Sequence, residues 1–221
     1  MSHKVRVWDL PTRCFHWALV LCLVALLTTA QIGGDAMAWH FRSGYALLSL
    51  LLFRLIWGVV GGQWSRFSSF LYGPATIMAY IQGRGRPEHS IGHNPLGAAS
   101  VFALLGFLLL QVASGLVSDD EIATAGPLSK SVSSAIANAA TSYHTTVGKL
   151  TVIALVLLHI GAIAFYYFKK RENLVRPMLR GDKESNSAVA SSRDDAGSRT
   201  LALFIFLGCA ALVVGMVRLA G

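Results

Sequence analysis

The residues of this chain whose type and spacing could do chemistry are its histidines. Four of the seven stand near the ends of long apolar runs: His16 and His159 toward one membrane face, His40 and His144 toward the other. An imidazole in lipid is costly without a partner, so an intramembrane histidine is a functional expectation by default. Neutral imidazole ligates iron well, and two of them close both axial positions of a haem, which leaves electron transfer as the natural task. Depth sorts the four into pairs. His144 and His159 fall on one apolar segment, and fifteen residues of helix separate them by about 22 Å along its axis. The same spacing makes about four turns plus 60°, so both face broadly one side. The depth-matched partners are His16 with His159 and His40 with His144.

Other residues fall at suitable depths. Gly44 follows His40 by four residues, Gly148 follows His144 by four, and Gly161 follows His159 by two, with Gly106 and Gly115 in the segment between. A flat macrocycle against a helix needs small residues there, although small residues also pack membrane helices together. Arg13 and Arg42, with Arg6 and Arg171, are cations that could pair with anionic propionates, or simply snorkel to the interface. His93 could meet a propionate or a quinone at the cytoplasmic surface, whereas His3 and His89 read as solvated. His93-Asn94-Pro95 also reads as a helix start, with Asn94 as cap and Pro95 in the first turn.

The elements that must position these side chains are membrane spans. The chain has 221 residues, 54% hydrophobic and only 14% charged, against about 25% charged in soluble domains. A helix needs about 20 apolar residues to cross the hydrocarbon core, and the pattern predicts five, roughly 14–32, 38–60, 96–118, 145–168 and 200–219. The net charge of +8 is no sign of nucleic-acid binding, because the basic residues segregate. With the amino terminus in the cytoplasm, fifteen Lys and Arg fall on cytoplasmic segments, Arg54, Arg66, Arg84 and Arg86 among them, and four on the other side. That is a strong positive-inside bias, and it places the carboxyl end of the fifth span in the periplasm. The first segment reads as a retained span and not a cleaved signal peptide, since Trp8, Asp9 and Pro11 precede it and removal would discard His16. Cys14, Cys22 and Cys209 form no disulfide framework, and the absence of C-x-x-C-H argues against covalent haem attachment.

The expected fold class is an all-α membrane protein, a four-helix transmembrane bundle holding two haems plus an appended fifth helix. Residues 1–180 form the four-helix domain, 181–198 a polar, flexible cytoplasmic linker, and 199–221 the additional span. Phe67–Ile81, broken by Gly73-Pro74, is too short to cross and reads as an interfacial piece. The outer loop 119–142 reads as holding a short surface helix.

Several runs resemble a known family. Val7-Trp8-Asp9-Leu10-Pro11-Thr12-Arg13-Cys14-Phe15-His16-Trp17, His40-Phe41-Arg42-Ser43-Gly44-Tyr45 with Arg54 downstream, Gly92-His93-Asn94-Pro95-Leu96-Gly97, Tyr143-His144 with Gly148, and Leu158-His159-Ile160 are similar to the bacterial cytochrome b561 and nickel–iron hydrogenase b-type cytochrome family. The resemblance covers roughly residues 4–180. It implies two non-covalent haem b groups ligated by His16, His40, His144 and His159, the four that depth selects. It further implies electron exchange between a quinone and a periplasmic redox protein, a hydrogenase small subunit, a c-type cytochrome or another oxidoreductase, in the bacterial inner membrane. Homodimers are also known in the family. The stretch from 181 onward departs from its minimal core.

The leading functional expectation is an electron-transfer subunit of a respiratory oxidoreductase with no catalytic residues of its own. Alternatives are a membrane oxidoreductase using the same haems directly on quinone, ferric iron or superoxide, a haem-free proton or metal transporter, and an anchor subunit. The spans contain essentially no Asp or Glu, which argues against a proton relay.

Overall fold

The computed structural model describes residues 3–85, 89, 91–185 and 189–220. Arg86 of the charge pattern and residues 186–188 of the expected linker lie outside that set. Helices dominate: α1 (Leu10–Ile32), α2 (Met37–Val60), α3 (Pro74–Ile81), α4 (Pro95–Val117), α5 (Ser134–Tyr143), α6 (Lys149–Phe168), α7 (Val175–Arg180) and α8 (Ala196–Ala220), with strands β1 (His3–Arg6) and β2 (Asp182–Ser185). Five helical stretches are long and apolar enough to cross a membrane. The fourth, Ser134–Phe168, is 35 residues long because the surface helix expected in the outer loop runs straight into the span. The join is a π-helical turn over His144–Gly148.

Local chemistry sets the helix ends. The Asp9 carboxylate caps α1 by accepting from Thr12 N–H at 2.8 Å, with Pro11 in the first turn, a cap of about 1 kcal/mol. The α1–α2 turn passes through Gly33 and Gly34 at φ 67° and 53°, a left-handed region that favours glycine. Asn94 caps α4 by accepting from Gly97 N–H at 2.8 Å, as the His93-Asn94-Pro95 reading expected. Large apolar side chains such as Leu21, Val59, Leu158 and Phe204 point outward and exposed, the surface that lipid covers.

The chain divides into two compact bodies, one of Met1–Phe15, Arg54–Ala103 and Leu157–Ile205, the other of His16–Phe53, Leu104–Val156 and Phe206–Gly221. In the first, β1 pairs antiparallel with β2 in the register His3 to Ser185 and Arg6 to Asp182. Arg6 bonds Asp182 at 2.8 Å, and Val5, Val7, Trp8 and Ile91 form a small buried cluster. The polar stretch 181–198, which composition alone presents as a flexible linker, is thus tied down along the part described. Ser192 Oγ donates to the Val7 carbonyl at 2.9 Å, and the Trp64 indole donates to the Ala190 carbonyl at 2.9 Å. Its polar side chains bond to backbone, which no hydropathy pattern registers.

In the second body α1, α2, α4, the π-turn and α8 come together, with Phe53 edge-on to Phe206 at 6.2 Å. Lipid is as apolar as these side chains, so close approach at small residues and interhelical hydrogen bonds hold such helices together. The three cysteines are free thiols.

Candidate functional site

His40 lies in the first turns of α2, and its Nδ1 is 3.1 Å from the Leu26 carbonyl oxygen of α1, with Thr29 Oγ1 at 3.4 Å. His144 opens the π-turn, with Nδ1 2.8 Å from the Gln111 carbonyl of α4 and 3.3 Å from Ser114 Oγ. A carbonyl can only accept, so both rings carry their proton on Nδ1 and leave the Nε2 lone pair for a ligand. Fixing one ring nitrogen on a backbone carbonyl is the usual support of a metal-binding histidine.

The two ring centres are 6.2 Å apart with planes at 84°. Two metal–imidazole bonds of about 2.0–2.1 Å, plus about 1.1 Å from each nitrogen to its ring centre, add to about 6.3 Å. The spacing would therefore fit one metal ion between the two rings. Among the described residues no group of three or more His, Cys, Asp or Glu assembles, and a two-nitrogen set suits an iron whose other four ligands come from a macrocycle.

Sequence motifs gave no sign of Gln111, which helps to hold His144 in place. Gln111 Nε2 donates to the His144 carbonyl at 2.9 Å, at the head of the π-turn. A Cβ at Gly115 would lie 2.7 Å from His144 Cε1, and one at Gly148 would lie 2.1 Å from Gln111 Oε1. At Gly148, expected to lie beside a macrocycle, the Gln111 side chain and the Tyr143 ring occupy the place of a Cβ. Gly44 keeps its open face, since a Cβ there would meet only Leu26 at 4.0 Å.

The other expected residues are distributed as follows. His16 belongs to the second body, edge-on to Trp17 at 5.1 Å. His159 belongs to the first body, and both are half-buried. His93 sits between the rings of Trp8 at 4.6 Å and Phe70 at 4.5 Å. His89 is buried beside Tyr72 and Tyr80 rather than solvated. The His89 ring meets Tyr72 and, on α3, Tyr80, which a local polar sequence does not reveal. Arg6 is engaged by Asp182 and Asp194, and Arg13 donates to the Leu179 carbonyl at 2.7 Å. Arg42 is exposed, stacked over Trp39 at 4.9 Å, and Arg171 is exposed at φ 56°.

Two charges in the first body proved structural in a way their positions concealed. Asp9 is fully buried and accepts from Thr12 N–H, Ser65 Oγ at 2.7 Å, Gly62 N–H at 3.2 Å and the Trp57 indole at 3.3 Å. Arg54, counted in the charge pattern as a topology residue, is 3% exposed and lies over the Phe67 ring at 4.6 Å. A charge inside an apolar run was the signal available for it.

Comparison with known proteins adds the lineage. The sequence profile of the family described as prokaryotic cytochrome b561 matches residues 7–181. The chain is 29% identical over 140 residues to a probable Ni/Fe-hydrogenase 1 B-type cytochrome subunit of Escherichia coli, covering 51% of this chain and 57% of that protein. It is 29% identical over 136 residues to a probable Ni/Fe-hydrogenase B-type cytochrome subunit of Azotobacter vinelandii, covering 49% and 57%. A similarly named protein of Rhodobacter capsulatus is 22% identical over 216 residues, 81% of each chain. The matched stretch thus spans little more than half the length of the first two relatives. No solved structure matches the chain.

Proposed function

The chain belongs to the prokaryotic cytochrome b561 family, and from that premise we propose that it is a multi-pass electron-transfer subunit carrying two haem b groups in the bacterial inner membrane. The observation that carries the reading is the His40–His144 pair, two rings 6.2 Å apart, each with Nδ1 fixed on a carbonyl. His40 and His144 would hold the group, which when bound would supply one-electron redox chemistry with no position left open to substrate.

Everything else in the task is positioning. The carbonyls of Leu26 and Gln111 set both tautomers, Gln111 Nε2 holds the π-turn, and Gly115 leaves the His144 ring its place. Fixed Nδ1–H donors make Nε2 a stronger ligand. His16 and His159 are proposed as the ligands of a second haem nearer the cytoplasm, with Arg13 beside it. Residues 1–180 would form the haem-bearing core and 199–221 an appended span. With the amino terminus cytoplasmic, the His40 site faces the periplasm, where a hydrogenase partner of the kind named in the relatives would exchange electrons, and quinone would be met on the cytoplasmic side.

The test is a dithionite-reduced minus oxidised spectrum of the purified chain, with pyridine haemochrome quantitation. Two b haems per polypeptide are expected. A haem-free preparation that is folded and was supplied with haem would overturn the proposal.

A further inference from the structure

An open surface pocket of about 290 Å³ in the first body is lined by Asn173, Val175, Arg176, Leu179 and Arg180, all exposed. We propose that it seats the phosphate headgroup of an anionic phospholipid, in the leaflet that receives the basic end of α6. The proposal rests on the membrane placement above and goes beyond electron transfer.

Position is the first argument. The apolar stretch of α6 closes with exposed Phe165, Tyr167 and Phe168, followed by Lys169-Lys170-Arg171. Aromatic side chains and then cations mark the headgroup level, and α7 begins four residues later.

The polar lining is the second. Asn173 uses its Oδ1 to accept from the backbone N–H groups of Val175 and Arg176 at 3.1 and 2.9 Å, so its side chain has only the NH2 donor to offer. Arg176 and Arg180 are donors without acceptors. The carbonyl end of a helix ordinarily repels anions, but here those oxygens are occupied. Leu179 O accepts from Arg13 at 2.7 Å, Arg180 O from Arg6 at 3.2 Å, and Pro177 O from Gly181 N–H at 2.7 Å. The nearby acids are engaged elsewhere: Glu172 with Lys183, and Asp182 with Lys4 and Arg6. Among the described residues no ion pair holds Arg176 or Arg180.

The apolar lining separates a lipid from a soluble anion. Val175 and Leu179, 40% and 57% exposed, stand four residues apart beside the two arginines, themselves four apart. A free phosphate would leave both apolar side chains in water, whereas a lipid covers them with its glycerol and upper acyl carbons. Basic pockets on the cytoplasmic side of membrane helices recognise anionic headgroups by this chemistry.

The experiment titrates the haem-loaded full chain in neutral detergent with phosphatidylglycerol or phosphatidylcholine, and reads bound lipid by native mass spectrometry. The parent should prefer phosphatidylglycerol. A basic residue near an anionic surface strengthens attachment about fivefold, so Arg176→Gln with Arg180→Gln should weaken binding about 30-fold. Arg176→Lys with Arg180→Lys should retain most of it, as should Lys169→Gln with Lys170→Gln outside the pocket. An undiminished preference in the double glutamine variant overturns the site, as does loss of preference in the Lys169/Lys170 variant alone. Displacement of the lipid by millimolar inorganic phosphate overturns the lipid assignment. Failure of the electron-transfer reading would show in the haem spectrum and leave lipid binding untouched, so the two are separable.

Discussion

Gly115→Ala isolates the geometry of the proposed outer haem site. In an ordinary helix interior this change stabilises by about 0.5–1 kcal/mol, because alanine loses less backbone entropy. At Gly115 the added methyl would stand 2.7 Å from His144 Cε1 and 3.1 Å from Nδ1, where carbon atoms rest at about 3.5–4.0 Å. The ring must therefore retreat by about 1 Å, and metal–ligand distances tolerate only about 0.2 Å. Retreat also breaks the 2.8 Å bond from Nδ1 to the Gln111 carbonyl, loosening the tautomer together with the position. The expected outcome is one haem per chain instead of two, with the potential of the remaining haem unchanged. Gly208→Ala is the control, on a helix where a Cβ meets nothing within 4 Å, and it should keep both haems. The assay is pyridine haemochrome quantitation with a potentiometric titration of the reduced band. The reasoning is refuted if Gly115→Ala holds two haems with both potentials within about 20 mV of the parent, since 59 mV is a tenfold change for one electron.

Three further outcomes are expected. Replacing His40 or His144 by Ala should remove one haem and replacing His16 or His159 the other; retention of both haems in all four variants, read by the same spectra, would sink the ligand scheme. Asp9→Asn should lower stability by about 3 kcal/mol in a denaturant titration in micelles, because it strips the charge facing buried Arg54 and leaves a donor among donors; a loss under 1 kcal/mol would show that the hydrogen-bond hub is replaceable. Asp194 titrates below the usual carboxylate range: burial pushes it up, but hydrogen bonds from Arg199 and Leu10 N–H, with the charges of Arg199 and Arg6, outweigh this. A depressed folded pKa stabilises above the unfolded value of about 3.9 and loses that contribution as pH falls through the folded one. Asp194→Asn should therefore be the less stable protein in melts near neutrality, with the gap closing below about pH 4; a gap independent of pH would exclude the charge as its cause.

Residue order alone established the kind of protein and most of its scaffold. Long uncharged runs name membrane helices because lipid admits no unpaired polar backbone, and Asn94-Pro95 announces the start of α4 because capping is local chemistry. The spacing of His144 and His159 fixes their relative depth on an ideal helix, since helical rise is the same for every sequence. What tertiary structure decided is what backbone atoms and distant neighbours contribute. The carbonyls that orient His40 and His144 belong to Leu26 and Gln111, and every residue has a carbonyl, so no letter marks the ones that matter. The π-turn adds a residue that 3.6-fold periodicity cannot register, and with it came the roles of Gln111, Gly115 and Gly148. Neither Asp9 nor Arg54 shows its partners in the sequence, and only folding placed them near each other among buried donors and rings. The strand at Asp182–Ser185 was hidden for the same reason. Its polarity looks like solvation until β1 supplies the backbone partners that a linear sequence does not show.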